Sequence, residues 1–276
     1  MGHNVVVAPA TRALVVAHYE RVAEFLIESF PLAPIVPVYY PHGLDKEPEY
    51  RGPWYAPLPV GAHAVGVGDP ARPHAYVTLE RETLNWLVRD GAVGLESWTP
   101  STRDPESVGY ARITLKPRGG ATQEHLAFAM LGLQTVLLNC GAESIPVLNG
   151  VDGATLFIPF SDAPTYESVR TWLHGITDRV VRHSPNLCTT DSHDHVLERV
   201  HVNVVTNAVG HFSSLPYALI GTKRLAMVVP IRWTELGTVK NGDFHAGNSA
   251  QRLVEGNLFA RLSVDIGTQR FSAVAG

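Results

Sequence analysis

Residues 111–120 read ARITLKPRGG. The stretch runs from a loop, SWTPSTRDPESVGY, into a short apolar strand that closes on Pro117. Strand alternation puts Thr114 and Lys116 on the same face, two residues apart. A buried strand that ends by turning a threonine and a lysine to one side raises a question about what that side faces.

The chain around it alternates strand and helix signals. Downstream, GATQEHLAFAMLGLQTVLLNCG reads as a long, mostly buried helix with Gly141 at its C-cap. SIPVLNG and GATLFIPF pair as a hairpin across NGVDG. PTYESVRTWLHGITDRVVRH is amphipathic, with Pro164 at its first turn, and RVHVNVVT follows as a strand. SSLPYALI and LAMVVPI read as further strands, and the last forty or so residues are mixed. Upstream, Thr11 caps an expected helix to about residue 29, with Val15, Tyr19, Val22 and Leu26 on one face and Pro31 beyond its end. PIVPVYYP and HAYVTL are strands, separated by the Pro-rich loop DKEPEYRGPWYAPLPVG, and ERETLNWLVRDGA is a short helix stopped at Gly91. This order indicates α/β or α+β, a helix-packed sheet with an N-terminal subdomain.

With 276 residues, 45% hydrophobic and 17% charged, the chain has material for a sizeable core. The opening MGHNVVVAPATRALVV carries no run of about twenty apolar residues, so neither a membrane span nor a signal peptide is read. Cys140 and Cys188 make no disulfide framework and read as two reduced thiols in a cytoplasmic protein. The net charge of −4, with only small basic spots, argues against nucleic acid as the partner.

Several stretches together resemble the polymerase domain of bacterial DNA ligase D, a branch of the archaeo-eukaryotic primase-polymerase superfamily. They are TRALVVAHYERVAEFL, LNWLVRDGAVGLESW, LNGVDGATLFIPF, RVHVNVVTNAVGHFSSLPYAL and PIRWTEL, and they run from about residue 11 to about 257. The resemblance implies an α+β primase-polymerase-like fold. Its central mixed sheet would be packed by helices in a core subdomain over 106–276, with a smaller α/β subdomain over 1–105, the two forming one compact unit.

The resemblance also implies a site in which carboxylates hold two divalent ions for nucleotidyl transfer. Here Thr114 and Lys116 stand where two acids are implied, and Asn203 stands for the third. Asn149 and Thr155 replace the serine and histidine of the hairpin, and Thr206, Val209, Ile220 and His193 replace basic residues. Glu96 falls where a histidine is implied. A protonated lysine offers a metal no lone pair and repels it. No metal and no cofactor are therefore expected.

A fixed ammonium in such a cleft suits an anion. Lys116 would hold a sulfate, phosphate or carboxylate, with Thr114, Asn149, Thr155, His201 and Asn203 as surrounding hydrogen-bonding groups. Glu96, Asp152, His193, His201 and His211 are candidate bases. The expected partner is a small anionic substrate, with a carrier or partner enzyme to present it as a further expectation. The expected reaction is elimination or intramolecular displacement, such as an amine ring closure of aziridine type. The Val/Ala/Gly/Arg-rich composition fits a GC-rich coding sequence and a role in secondary metabolism. The alternative is a non-catalytic module that binds DNA ends or a repair partner. A new metal site in TTDSHDHVLERVH, through His193, His195 and His201, has no familiar zinc spacing. Lys116 paired with Glu96 or Asp152 across a closed cleft is the structural alternative. Trp54, Tyr55, Tyr39 and Tyr40 read either as a substrate mouth or as core.

Overall fold

The computed structural model describes residues 8–52, 58, 61–68, 71, 74–102, 104–194 and 197–275. Fourteen strands are described in chain order. They are β1 (Pro34–Tyr39), β2 (Glu49–Tyr50), β3 (Ala64–Val67), β4 (His74–Thr78), β5 (Gly94–Ser97), β6 (Tyr110–Pro117), β7 (Ile145–Leu148), β8 (Ala154–Pro159), β9 (Cys188–Thr189), β10 (Val200–Asn203), β11 (Ser213–Ser214), β12 (Leu219–Ile220), β13 (Ala226–Met227) and β14 (Val229–Pro230). The α-helices are α1 (Pro9–Ser29), α2 (Arg81–Asp90), α3 (Gln123–Asn139), α4 (Tyr166–His183), α5 (Ser249–Leu253), α6 (Leu258–Ile266) and α7 (Phe271–Val274).

The strands form two six-stranded sheets and a small two-stranded one. The first runs β11-β5-β1-β4-β3, with β2 also on β1. The second runs β14-β7-β8-β6-β10-β9 and is mixed, because β10 pairs parallel to β9 and antiparallel to β6. This is the α+β architecture the sequence implies. The expected hairpin is present, with Ile145 opposite Phe157 and Leu148 opposite Ala154. The first sheet takes its edge strand, β11, from late in the chain. An aromatic cluster also ties the end of α1 and the helix α6 to the second sheet: Phe30 lies 5.0 Å from Phe259 and 5.5 Å from Tyr110, centroid to centroid. Such pairs add to the burial of their area.

Several boundaries differ from expectation. α1 begins at Pro9, two residues before Thr11, because Pro9 at the first helical position supplies a fixed φ and lacks only an N–H that has no helical partner. α3 begins at Gln123, not at the glycines. Gly119 and Gly120 have φ of 58° and 95° and make a turn, and the Thr122 side chain caps the helix reciprocally with His125. Gly141 lies one residue past the Cys140 cap, with φ of 73°. α3 buries only one stripe, Leu126, Ala129, Met130, Leu133 and Leu137, while Phe128 and Leu138 are exposed. α4 is capped by Thr165, so Pro164 precedes it. The long strands expected over SSLPYALI and LAMVVPI are broken into two-residue pieces, with Tyr217 and Leu225 at φ of 70° and 55°. Tyr39 and Tyr40 are core residues, and Tyr39 also stacks under Arg51. Trp54, Tyr55 and His195 lie outside the described residues.

Candidate active site

β6 gives the site its floor. Its apolar face, Ala111, Ile113 and Leu115, is buried, and the strand packs against α3. Its other face carries Arg112, Thr114 and Lys116, and continues past Pro117 to Arg118, whose backbone N–H still bonds to the Arg199 carbonyl at 2.8 Å. Register sets the neighbours. Thr114 is opposite Thr155 on β8 and Asn203 on β10, while Lys116 is opposite His201. The first sheet supplies the facing wall through Glu96 on β5 and through Ser213 and Ser214 on β11. Between them is a cavity of about 460 Å3.

Seven predicted site residues line this cavity: Glu96, Thr114, Lys116, Asn149, Thr155, His201 and Asn203. Asp152 does not, but its carboxylate lies 4.0 Å from the Lys116 ammonium, with both side chains about half exposed. The structural alternative is thus met in part, through Asp152, and the cleft stays open. His193 sits apart on an exposed loop beside Asp191. His211 is also exposed and off the cavity; its backbone carbonyl accepts from Arg112 at 2.9 Å.

The polar floor is partly committed to its own fold. The Asn149 side-chain carbonyl accepts from the backbone N–H groups of Val151, Asp152 and Gly153 at 2.9–3.0 Å, so it organises the hairpin turn. The Thr114 hydroxyl donates to the Asn203 carbonyl at 3.1 Å. The Asn203 side-chain carbonyl accepts from Val205 N–H at 2.8 Å. Among the described residues the Thr155 hydroxyl and the Asn203 amide N–H donors make no hydrogen bond, and the Lys116 ammonium has the Asp152 carboxylate at 4.0 Å.

Glu96 is the acid of the facing wall. Burial raises its pKa above the ordinary carboxylate value; a hydrogen bond from Ser214 at 3.2 Å and the charge of Arg112 oppose that rise. Arg112, on the same face of β6 but outside the cavity lining, is fully buried, and burial lowers its pKa to about 10. Its guanidinium donates to the Ser97, Thr206 and His211 carbonyls and to the Ser213 hydroxyl, which ties β6 to the facing sheet. Arg112 and Arg118 were absent from the sequence-derived site, although the alternation that placed Thr114 and Lys116 reaches both. Ser213 and Ser214 carried no local signal, because only β11 pairing on β5 brings them in.

The sequence model of the LigD primase-polymerase domain matches residues 11–259. The chain belongs to the LigD primase-polymerase domain family. Among solved structures, the polymerase domain of Mycobacterium tuberculosis ligase D, in complex with DNA, is similar at 18% identity with a TM-score of 0.83. The match covers 96% of this chain and 97% of the other, and it establishes the shared LigD polymerase fold. No curated protein is similar in sequence.

The donor set here does not fit the pair of divalent ions that the ligase D resemblance implies. Thr114, Lys116 and Asn203 carry no carboxylate. Among the described residues, no group of three or more histidine, cysteine, aspartate or glutamate side chains is placed to hold a metal. No helix among the described residues is long and apolar enough to cross a membrane.

Proposed function

We propose that this LigD-family domain has lost metal-dependent nucleotidyl transfer and that its cleft acts on a small anionic substrate. The observation that carries the reading is Lys116 on the cavity floor, facing a wall whose acid, Glu96, has a raised pKa. A unit charge interacts with another 4 Å away by about 4 kcal/mol at the effective dielectric of a protein surface. A lysine in place of an acid therefore removes the preference of the floor for a cation, and an anion there competes with the half-exposed Asp152 carboxylate 4.0 Å from the ammonium.

The reaction that suits this arrangement is displacement of a sulfate or phosphate ester by an amine of the same molecule. The nitrogen lone pair forms the C–N bond and the C–O bond breaks. The oxyanion leaves with the bonding electrons, held by Lys116 and neutral donors such as Thr155. Glu96, in its ionised form, takes the proton that the nitrogen loses. Its raised pKa makes it a better base than an exposed carboxylate. Closure to a three-membered ring in secondary metabolism is the specific form proposed, without a metal or cofactor.

The test is a thermal shift of the wild type and Lys116→Ala with three sets of ligands. These are sulfate, phosphate and 2-aminoethyl hydrogen sulfate; Mn2+ with a nucleoside triphosphate; and 5′-phosphorylated DNA. A ligand at a hundredfold its Kd stabilises the folded state by about 2.7 kcal/mol. The reading expects anions to stabilise the wild type and not the variant. Stabilisation by nucleotide with Mn2+ alone overturns it in favour of a working polymerase. Stabilisation by DNA alone favours an end-binding module.

A further inference from the structure

The cleft has a second cation that the proposed reaction leaves without a role. Arg118 lines the same cavity as Lys116, two residues further on and just past the end of β6 at Pro117. Such a step is roughly 7 Å between Cα atoms. The three cations of this face differ in their company. Arg112 spends both terminal nitrogens on three carbonyls and a hydroxyl, although its Nε is also buried without a partner. Lys116 has Asp152 at 4.0 Å. Arg118 makes no side-chain hydrogen bond or ion pair among the described residues, and its Nε is shielded from solvent with no partner. An Nε–H withdrawn from water and bonded to nothing is a donor without an acceptor, and the terminal nitrogens beside it are not committed to the fold. The planar fork of a guanidinium matches a carboxylate or phosphate in two parallel hydrogen bonds, which an ammonium cannot do.

We propose that Arg118 holds a second, non-reacting oxyanion of the substrate, and that the group is a carboxylate. The inference rests on the anion-binding reading of Lys116 and narrows the substrate class. The ester to be displaced sits over Lys116, and a carboxylate a few ångströms away docks on Arg118. A molecule of this class carries both anions together with an amine that faces Glu96. Arg118 is thus a specificity residue that selects amino-acid-like esters over simple amino-alcohol esters.

Two probes that differ only in the carboxylate test this: L-serine O-sulfate and 2-aminoethyl hydrogen sulfate. O-phospho-L-serine and O-phosphoethanolamine form the matching phosphate pair. Affinities are measured by calorimetry at fixed ionic strength, because exposed charges are screened by salt. The wild type is expected to favour the carboxylated member by about tenfold or more, the order of a charge-assisted bidentate contact. Arg118→Met keeps the apolar stem and should bring that ratio close to one. Arg118→Lys keeps the charge without the fork and should restore only part of it. Lys116→Met should weaken both members together. A ratio near one in the wild type, or a ratio that survives Arg118→Met, overturns the Arg118 inference while leaving the Lys116 reading intact. Failure of all four probes to bind the folded wild type overturns both.

Discussion

Glu96 carries the strongest single-residue consequence. Its folded pKa is raised, so between the ordinary carboxylate value of 4.5 and the folded value the native state holds a proton that the unfolded chain has released. Stability from this group is therefore complete below 4.5 and falls as pH rises through the folded value. Glu96→Gln removes the titration and keeps the shape. The variant is expected to melt at a higher temperature than the wild type near neutral pH and to converge with it in acid, near pH 4. Scanning fluorimetry across that range checks it, and equal pH profiles for the two proteins would refute it. If Glu96 is also the base, the more stable variant is the inactive one, a trade between stability and activity that strained sites often show.

At the scale of elements, the hairpin β7–β8 shows how much a site residue can owe to its own backbone. Gly153 has no room for a Cβ, which would meet the Leu115 carbonyl at 2.5 Å, so the turn approaches β6 closely. Asn149 gathers the three N–H groups of that turn on one oxygen. Asn149→Ala is expected to destabilise the domain by about 2 kcal/mol, since each such bond contributes on the order of 1 kcal/mol. Asn149→Asp, which keeps the acceptor, should cost less than half as much; urea unfolding separates the two. A substrate-contacting role alone would give the opposite pattern, with little change in stability for either variant. The hairpin and the shared face of Thr114 and Lys116 are legible in the sequence because they follow from alternation and turn chemistry, both local rules, whereas Thr155 and Asn203 enter only through the ligase D resemblance. The helix starts are not legible, because Thr122 and Thr165 caps compete with nearby Thr, Gly and Pro signals of similar strength. Nor are Ser213 and Ser214, whose place depends on a pairing with residues more than a hundred positions earlier. His193 enters the expected site through the basic position that the ligase D resemblance implies, and the fold holds it on an exposed loop away from the cavity.

At the scale of the molecule, the question is whether residues 1–105 form a unit that stands without the remainder. The physical ties run across that boundary. His18 is buried, with its imidazole bonded to the Tyr217 carbonyl at 2.8 Å and the Ser249 hydroxyl at 3.1 Å. The Tyr19 hydroxyl donates to Val93 and accepts from the Leu219 N–H. Asn257 donates to the Phe25 carbonyl at 3.1 Å. Phe30 packs on Phe259. Cutting at 105 exposes the large apolar side chains Phe30 and Tyr19, at about 1.5–3 kcal/mol each, and removes β11 from its sheet. A whole domain has only about 5–15 kcal/mol of net stability to lose. The full chain is therefore expected to unfold in one calorimetric transition, and a fragment of residues 1–105 to show none. The acid limb of that transition has an identifiable source. Burial holds His18 at about 4, below its ordinary 6.5, so the stability it contributes is present above 6.5 and is lost as pH falls toward 4. His18→Gln should flatten this limb. Two resolved transitions, or a cooperatively folding 1–105 fragment, would instead make the N-terminal half a separate domain, able to move against the β6 floor and change the width of the cleft.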